Sequence, residues 1–180
     1  MEIVEYLNGS LVAVHTMMNI AISDLSPEVA HWQPTGTANT IAQILAHMVG
    51  SEDRAINLSI KGGTTLGESW ADKTGIPQER RGQWRKDWVL NLESFTEYAN
   101  AVQQSAIDCL ASLSADDLDK EVQGFNGPNT TGGLIRMVVL HHPLLHPGEI
   151  SSLKALQALN ALPSERPTAR PPRGPRTAGR

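Results

Sequence analysis

Val138-Val139-Leu140-His141-His142-Pro143-Leu144-Leu145-His146-Pro147-Gly148-Glu149-Ile150 is the stretch on which the reading of this chain turns. Three of the six histidines fall inside it, in otherwise apolar surroundings. Read as a helix, it sets His142 and His146 one turn apart on a single face, because residues four apart stack along the axis. Glu149 follows on the same stripe. Two imidazoles so placed can grip one divalent cation and need only a third ligand from elsewhere. His47 is the candidate for it. It lies in Thr40-Ile41-Ala42-Gln43-Ile44-Leu45-Ala46-His47-Met48, where the apolar residues recur at helical spacing and the histidine borders their stripe. One inward histidine and an H-x-x-x-H pair close a facial tri-histidine site with coordination positions left open. Spacing alone is modest evidence, since a histidine on an apolar face is ordinarily a core residue with a hydrogen-bonded ring.

Pro143 and Pro147 stand against a regular helix. Each removes an amide donor and crowds the carbonyl four residues earlier, at about 3 kcal/mol in a helix interior. A kink there would turn His141 inward, so a 141/146 pair is the alternative to a 142/146 pair.

The rest of the composition describes an ordinary globular chain. With 180 residues, 40% of them hydrophobic, it can bury one core. Helix formers dominate and β-branched runs are few, which favours an all-α class. The formal charge is −4. Residues 163–180 carry five arginines against one glutamate, a net of +4 that leaves −8 on the remainder. That balance argues against a nucleic-acid-binding body. One cysteine, Cys109, excludes an intrachain disulfide and a zinc-finger spacing. In its helical pattern it reads as a buried structural thiol. The start of the chain lacks a basic region leading into an apolar core, so no signal peptide is expected. No apolar run approaches the ~20 residues of a membrane span. The expected address is the cytoplasm.

In chain order, Ile3, Leu7, Leu11, Val14, Met18 and Ile22 predict a first helix over about 2–24. His15, one residue past Val14, reads as a surface or core residue facing the bundle or its rim, with a place in the histidine site as the lesser alternative. Ser26-Pro27-Glu28 opens a short turn. A second helix is expected from about Asn39 to Ser59, capped by Asn39 or Thr40. Glu52, Asp53 and Arg54 read as its solvated face, with Glu52 alternatively orienting a histidine. An irregular connection of roughly 20 residues follows to about Gln83, long for a helical bundle and permissive of a crossover. Trp70 lies within it, either over the mouth of a pocket or pinning the loop. Trp84 and Trp88 are expected to begin a third helix that runs to Leu113. Ser114-Ala115-Asp116-Asp117 restarts a short helix, and Phe125-Asn126-Gly127-Pro128-Asn129 is turn chemistry. Thr130 or Thr131 caps a fourth helix carrying the H-x-x-x-H pair. From Pro163 the chain is rich in Pro, Arg and Gly and is expected to be a disordered tail, which gives domain limits of 1–162 and 163–180.

Two of these stretches resemble the DinB/YfiT-like superfamily of small helical metalloproteins. The first is Ile41 to Leu45, His47 and then Glu52-Asp53-Arg54. The second is His142, His146, Gly148, Glu149 and Ile150, matching H-x-x-x-H-x-G-[EQ]-I, and Trp32-Gln33-Pro34 resembles the family's Trp-x-Pro. Order and spacing agree over about residues 1–162. The resemblance implies a four-helix bundle, up-down-down-up, with His47, His142 and His146 as metal ligands. It selects His142 over His141. The metal it implies is Zn²⁺ or Ni²⁺, since imidazole suits both. It also implies a thiol-dependent S-transferase or isomerase, using a low-molecular-weight thiol such as bacillithiol or mycothiol against an electrophilic small molecule. Metal-assisted hydrolysis is the enzymatic variant, and Glu149 is then a base or an outer acceptor. The alternative is a non-catalytic metal-binding, stress-associated or interaction protein, the last dimerising through helix faces. An open coordination position facing a cavity of ligand size separates the enzyme from a sealed site.

Overall fold

The structure is a computed structural model that describes residues 2–77 and 88–161. The chain is mostly helical, and four long helical segments surround one core. The first is α1 (Ile3–Ile22). A short α2 (Pro27–His31) follows, its Ser26 side chain accepting from the Val29 amide. The second long segment is α3 (Ile41–Asp53), prolonged by a π-helical stretch, Arg54–Ile60. Next come α4 (Gly67–Thr74) and the third long segment, α5 (Leu92–Ser112). A small antiparallel hairpin, β1 (Glu121–Gly124) and β2 (Gly127–Thr130), precedes the fourth. That last segment is continuous from α6 (Thr131–Leu134) through a π-helical stretch, Ile135–His141, into α7 (His142–Ala161).

Among the described residues, α1 packs against α5 and α7, and α3 packs against the same two helices. Leu11, Ile41, Ile44, Leu45, Phe95, Leu110, Ile135 and Ile150 are wholly buried in that core. Each contributes roughly 1.5–3 kcal/mol by leaving water, which is why the amphipathic stripes decide the fold. No helix among the described residues is long and apolar enough to cross a membrane.

The helix starts follow their capping chemistry. Thr40, not Asn39, caps α3: its hydroxyl accepts from the Gln43 amide at 3.2 Å while Gln43 Oε1 accepts from the Thr40 amide at 2.8 Å. Thr130 caps α6 through the Gly133 amide. The third long helix begins at Leu92 rather than at the tryptophans, because Asn91 caps it and the residues from Trp88 to Asn91 are not helical. Trp84 lies outside the described residues, as does the Pro/Arg-rich tail.

Two further expectations are corrected. The connection after the second segment is not irregular, since it contains α4. That helix stops at Gly75, where φ is +73° and a Cβ would come within 2.4 Å of the Val89 carbonyl oxygen. Glu52 and Asp53 are not a solvated face. Both are about 1% exposed, and only Arg54 of the three reaches solvent. Burial of a carboxylate depends on donors contributed by distant segments, which periodicity does not reveal.

Candidate metal centre and adjoining cavity

The helix carrying the histidine pair tolerates its first proline because of the turn before it. In the π-helical stretch the His142 amide bonds the Met137 carbonyl, five residues back. This wider turn relieves the crowding that Pro143 would impose on the carbonyl four residues earlier. Pro147 remains inside α7, where it supplies no amide to the Pro143 carbonyl. His142 thus opens a true helix and His146 stands one turn further along it. His47 comes to them from α3, which packs on α7.

The three rings meet at one point. His47 Nε2 lies 2.8 Å from His142 Nε2, and His146 Nε2 lies 3.2 Å from the same atom. The ring planes are close to mutually perpendicular, at 83°, 87° and 84°, like three faces of a box corner. All three histidines are half-buried, with ligand atoms within 4.8 Å of one another. Neutral imidazoles turning the same ring nitrogen to one point crowd lone pairs that only protons or a cation can satisfy. The donor set therefore fits a divalent metal, for which imidazole is a ligand of choice. His141 is exposed and outside the cluster.

Glu149 sits behind the cluster rather than in it. His146 Nδ1 donates to Glu149 Oε2 at 3.0 Å. That bond fixes the proton on Nδ1 and leaves Nε2 as the lone-pair nitrogen facing the other rings. The remaining histidines serve the fold. His31 Nδ1 donates to the Pro27 carbonyl and its Nε2 accepts from the Leu90 amide, which ties α2 to the chain entering α5. His15, 5% exposed, donates through Nε2 to Glu52 Oε1 at 2.7 Å, so Glu52 steadies His15 and not a member of the triad. The pair bridges α1 and α3 through the core.

A cavity of about 310 Å³ opens beside His47. One wall is a single face of the second long segment, His47, Gly50, Arg54 and Leu58; the other includes Glu68, Thr74 and Tyr98. Asp53 holds those walls together. Its carboxylate accepts from Asn57 Nδ2 (2.9 Å), the Leu66 amide (3.0 Å), the Gly67 amide (2.8 Å) and the Tyr98 hydroxyl (2.8 Å). Burial, then the Asp53 carboxylate beside it, pushes the Tyr98 phenol far above the ordinary tyrosine value, so it stays a donor. Trp70 is not among the residues lining the cavity. It is part of α4 and lies against Tyr98, ring centroids 6.2 Å apart. Cys109 is buried on α5, and desolvation raises its thiol above the ordinary value, which suits a packing residue and not a nucleophile.

The sequence profile of the DinB superfamily matches residues 10–150. The chain belongs to the DinB superfamily. Its helical architecture is also that of a crystal structure described as a conserved protein of locus from Enterococcus faecalis. That likeness has a TM-score of 0.71 at 14% identity and covers 87% of this chain and 97% of the other, so it bears on fold alone. No curated protein matches the sequence at a significant level. As a DinB-superfamily protein with three converging imidazoles, the chain has a cluster suited to a divalent metal. Arg54, Asp53 and Tyr98 were not legible as cavity residues. Asp53 and Arg54 sit inside the motif that carries the resemblance, which was the one signal available for them.

Proposed function

We propose that this DinB-superfamily protein is a divalent-metal-dependent enzyme that activates a low-molecular-weight thiol for attack on an electrophilic small molecule, as an S-transferase or isomerase. His47, His142 and His146 would hold the cation, Zn²⁺ or Ni²⁺ by the preference of imidazole. A cation there would lower the pKa of a bound thiol and so supply the nucleophile at neutral pH. The observation that carries the reading is the cavity beside His47, of a size that admits a small ligand, where a sealed structural site would have none. The protein's own residues divide the remaining work. Glu149 holds the His146 tautomer, and Asp53 with Tyr98 fixes the far wall. A thiol-dependent reaction also suits the cytoplasm, where such thiols stay reduced.

Elemental analysis of the purified protein and four variants tests this. His47→Ala, His142→Ala and His146→Ala should each lose the metal, while His141→Ala should retain it. Loss in His141→Ala with retention in His142→Ala would overturn the ligand set. The loaded protein should then consume an electrophile only when a small thiol is present. Thiol-independent turnover would replace the proposal with metal-assisted hydrolysis.

A further inference from the structure

We propose that Arg54 recognises a carboxylate on the molecule that occupies the cavity. The site would then take a small ligand with a metal-binding head at the histidines and a single negative charge at its far end. This rests on the metal-centred reading given above and names the class of ligand.

Arg54 lines the cavity on the same helix face as His47, seven residues further on, a rise of about 10 Å. Its guanidinium lies over the Phe125 ring at the hairpin tip, 5.5 Å from the centroid. This cation–π contact restrains the side chain without using any of its N–H donors. No ion pair or hydrogen bond engages the Arg54 guanidinium among the described residues. The neighbouring acid does not compete for it, because four donors already occupy the Asp53 oxygens. A guanidinium presents two parallel N–H bonds to a carboxylate, a match that a lysine cannot make. Glu68 lines the opposite wall. Its like charge works against a dianion, and so selects a monocarboxylate over a phosphate ester.

The test uses cobalt-loaded protein and two pairs of probes, each pair differing only in the far end. One pair is 6-mercaptohexanoate and 6-mercaptohexanol, followed by sulfur-to-cobalt charge-transfer absorption. The other is the monohydroxamate of heptanedioic acid and its methyl ester, followed by the cobalt visible spectrum. The carboxylate member should bind about tenfold more tightly in each pair, the scale of one charge-assisted contact at an accessible site. Arg54→Met keeps an apolar stem on Phe125 and should remove that preference, leaving the neutral probes and the cobalt content unchanged. Arg54→Lys should retain only part of it. Equal binding within a pair, or a preference that survives in Arg54→Met, overturns the proposal while leaving the thiol reading intact. A preference shown by the hydroxamates alone, with no thiol binding, supports Arg54 and sinks the thiol reading. Failure of both pairs to bind overturns both.

Discussion

Replacing Asp53 with alanine would strip the acceptor from four donors at once: Asn57 Nδ2, the Leu66 and Gly67 amides, and the Tyr98 hydroxyl. The site is about 1% exposed, so these groups cannot simply turn to bulk water. A buried donor left without a partner costs about 1–3 kcal/mol, and four such costs do not add fully. Water entering from the adjoining cavity would offset part of the loss. A net destabilisation of about 4 kcal/mol follows, a large share of the 5–15 kcal/mol typical of a domain. At roughly 2 kcal/mol per molar urea, the unfolding midpoint should fall by about 2 M. Asp53→Asn keeps one carbonyl oxygen and should lose about half as much.

Urea unfolding followed by tryptophan fluorescence measures the global effect, with Trp70 on α4 as a nearby reporter. Hydrogen exchange at the Leu66 and Gly67 amides measures the local one, and both amides should lose protection before the core does. Tyr98→Phe removes a single donor, and a double-mutant cycle with Asp53→Ala should return a coupling of about 1–2 kcal/mol. A destabilisation below about 1 kcal/mol in Asp53→Ala, with protection at Leu66 and Gly67 unchanged, would refute the view that this carboxylate fastens α4 to the bundle.

Three other expectations follow from the same contacts. Glu149→Ala should weaken metal binding about tenfold, the lower end for a residue supporting a ligand, because the carboxylate is 43% exposed and water can replace it in part; competition with a chromogenic chelator measures this, and Glu149→Gln should lose less. The native Tyr98 phenol keeps its proton where the unfolded chain releases it, above about pH 10. Stability should therefore fall as pH rises beyond that point, by up to about 1.4 kcal/mol per pH unit, and Tyr98→Phe should flatten the curve between pH 10 and 11. His15→Ala leaves the Glu52 carboxylate buried without its partner, at a cost of about 3 kcal/mol in chemical unfolding, and replacing both residues by leucine should cost less than either single alanine change.

The parts of this structure legible in the sequence were those set by local periodicity. The stripes Leu11-Val14-Met18 and Ile41-Ile44-Leu45-Met48 announce helices because burying one face outweighs everything else in a single segment. His142 and His146 announce a shared face by their spacing alone. What could not be read depends on partners far away in the chain. Asp53 and Glu52 look like surface acids until Tyr98, 45 residues on, and His15, 37 residues back, supply the bonds that permit their burial. The hairpin at 121–130 is hidden in the same way. Its Phe125 reads as turn chemistry, yet it gains a role from Arg54 on another element. Helix α4 is hidden for a different reason: two glycines and two threonines precede it, and its start is anchored by Asp53 rather than by a cap of its own.

The choice between His141 and His142 shows the same limit at the scale of one residue. Consecutive positions on an α-helix point about 100° apart, so a pattern with one unit of slack cannot say which of two neighbouring histidines faces inward. A π-helical turn is that slack, because it inserts a residue into the ladder and rotates all that follows. Here the turn spans Ile135–His141 and ends where the pair begins. The proline at 143, which stands against a regular α-helix, is compatible with a helix whose preceding turn is widened. The same widened turn brings His142 and His146, rather than His141, against His47. The feature that weakened the sequence argument and the feature that sets the geometry of the three imidazoles are thus one local departure from the α-helix.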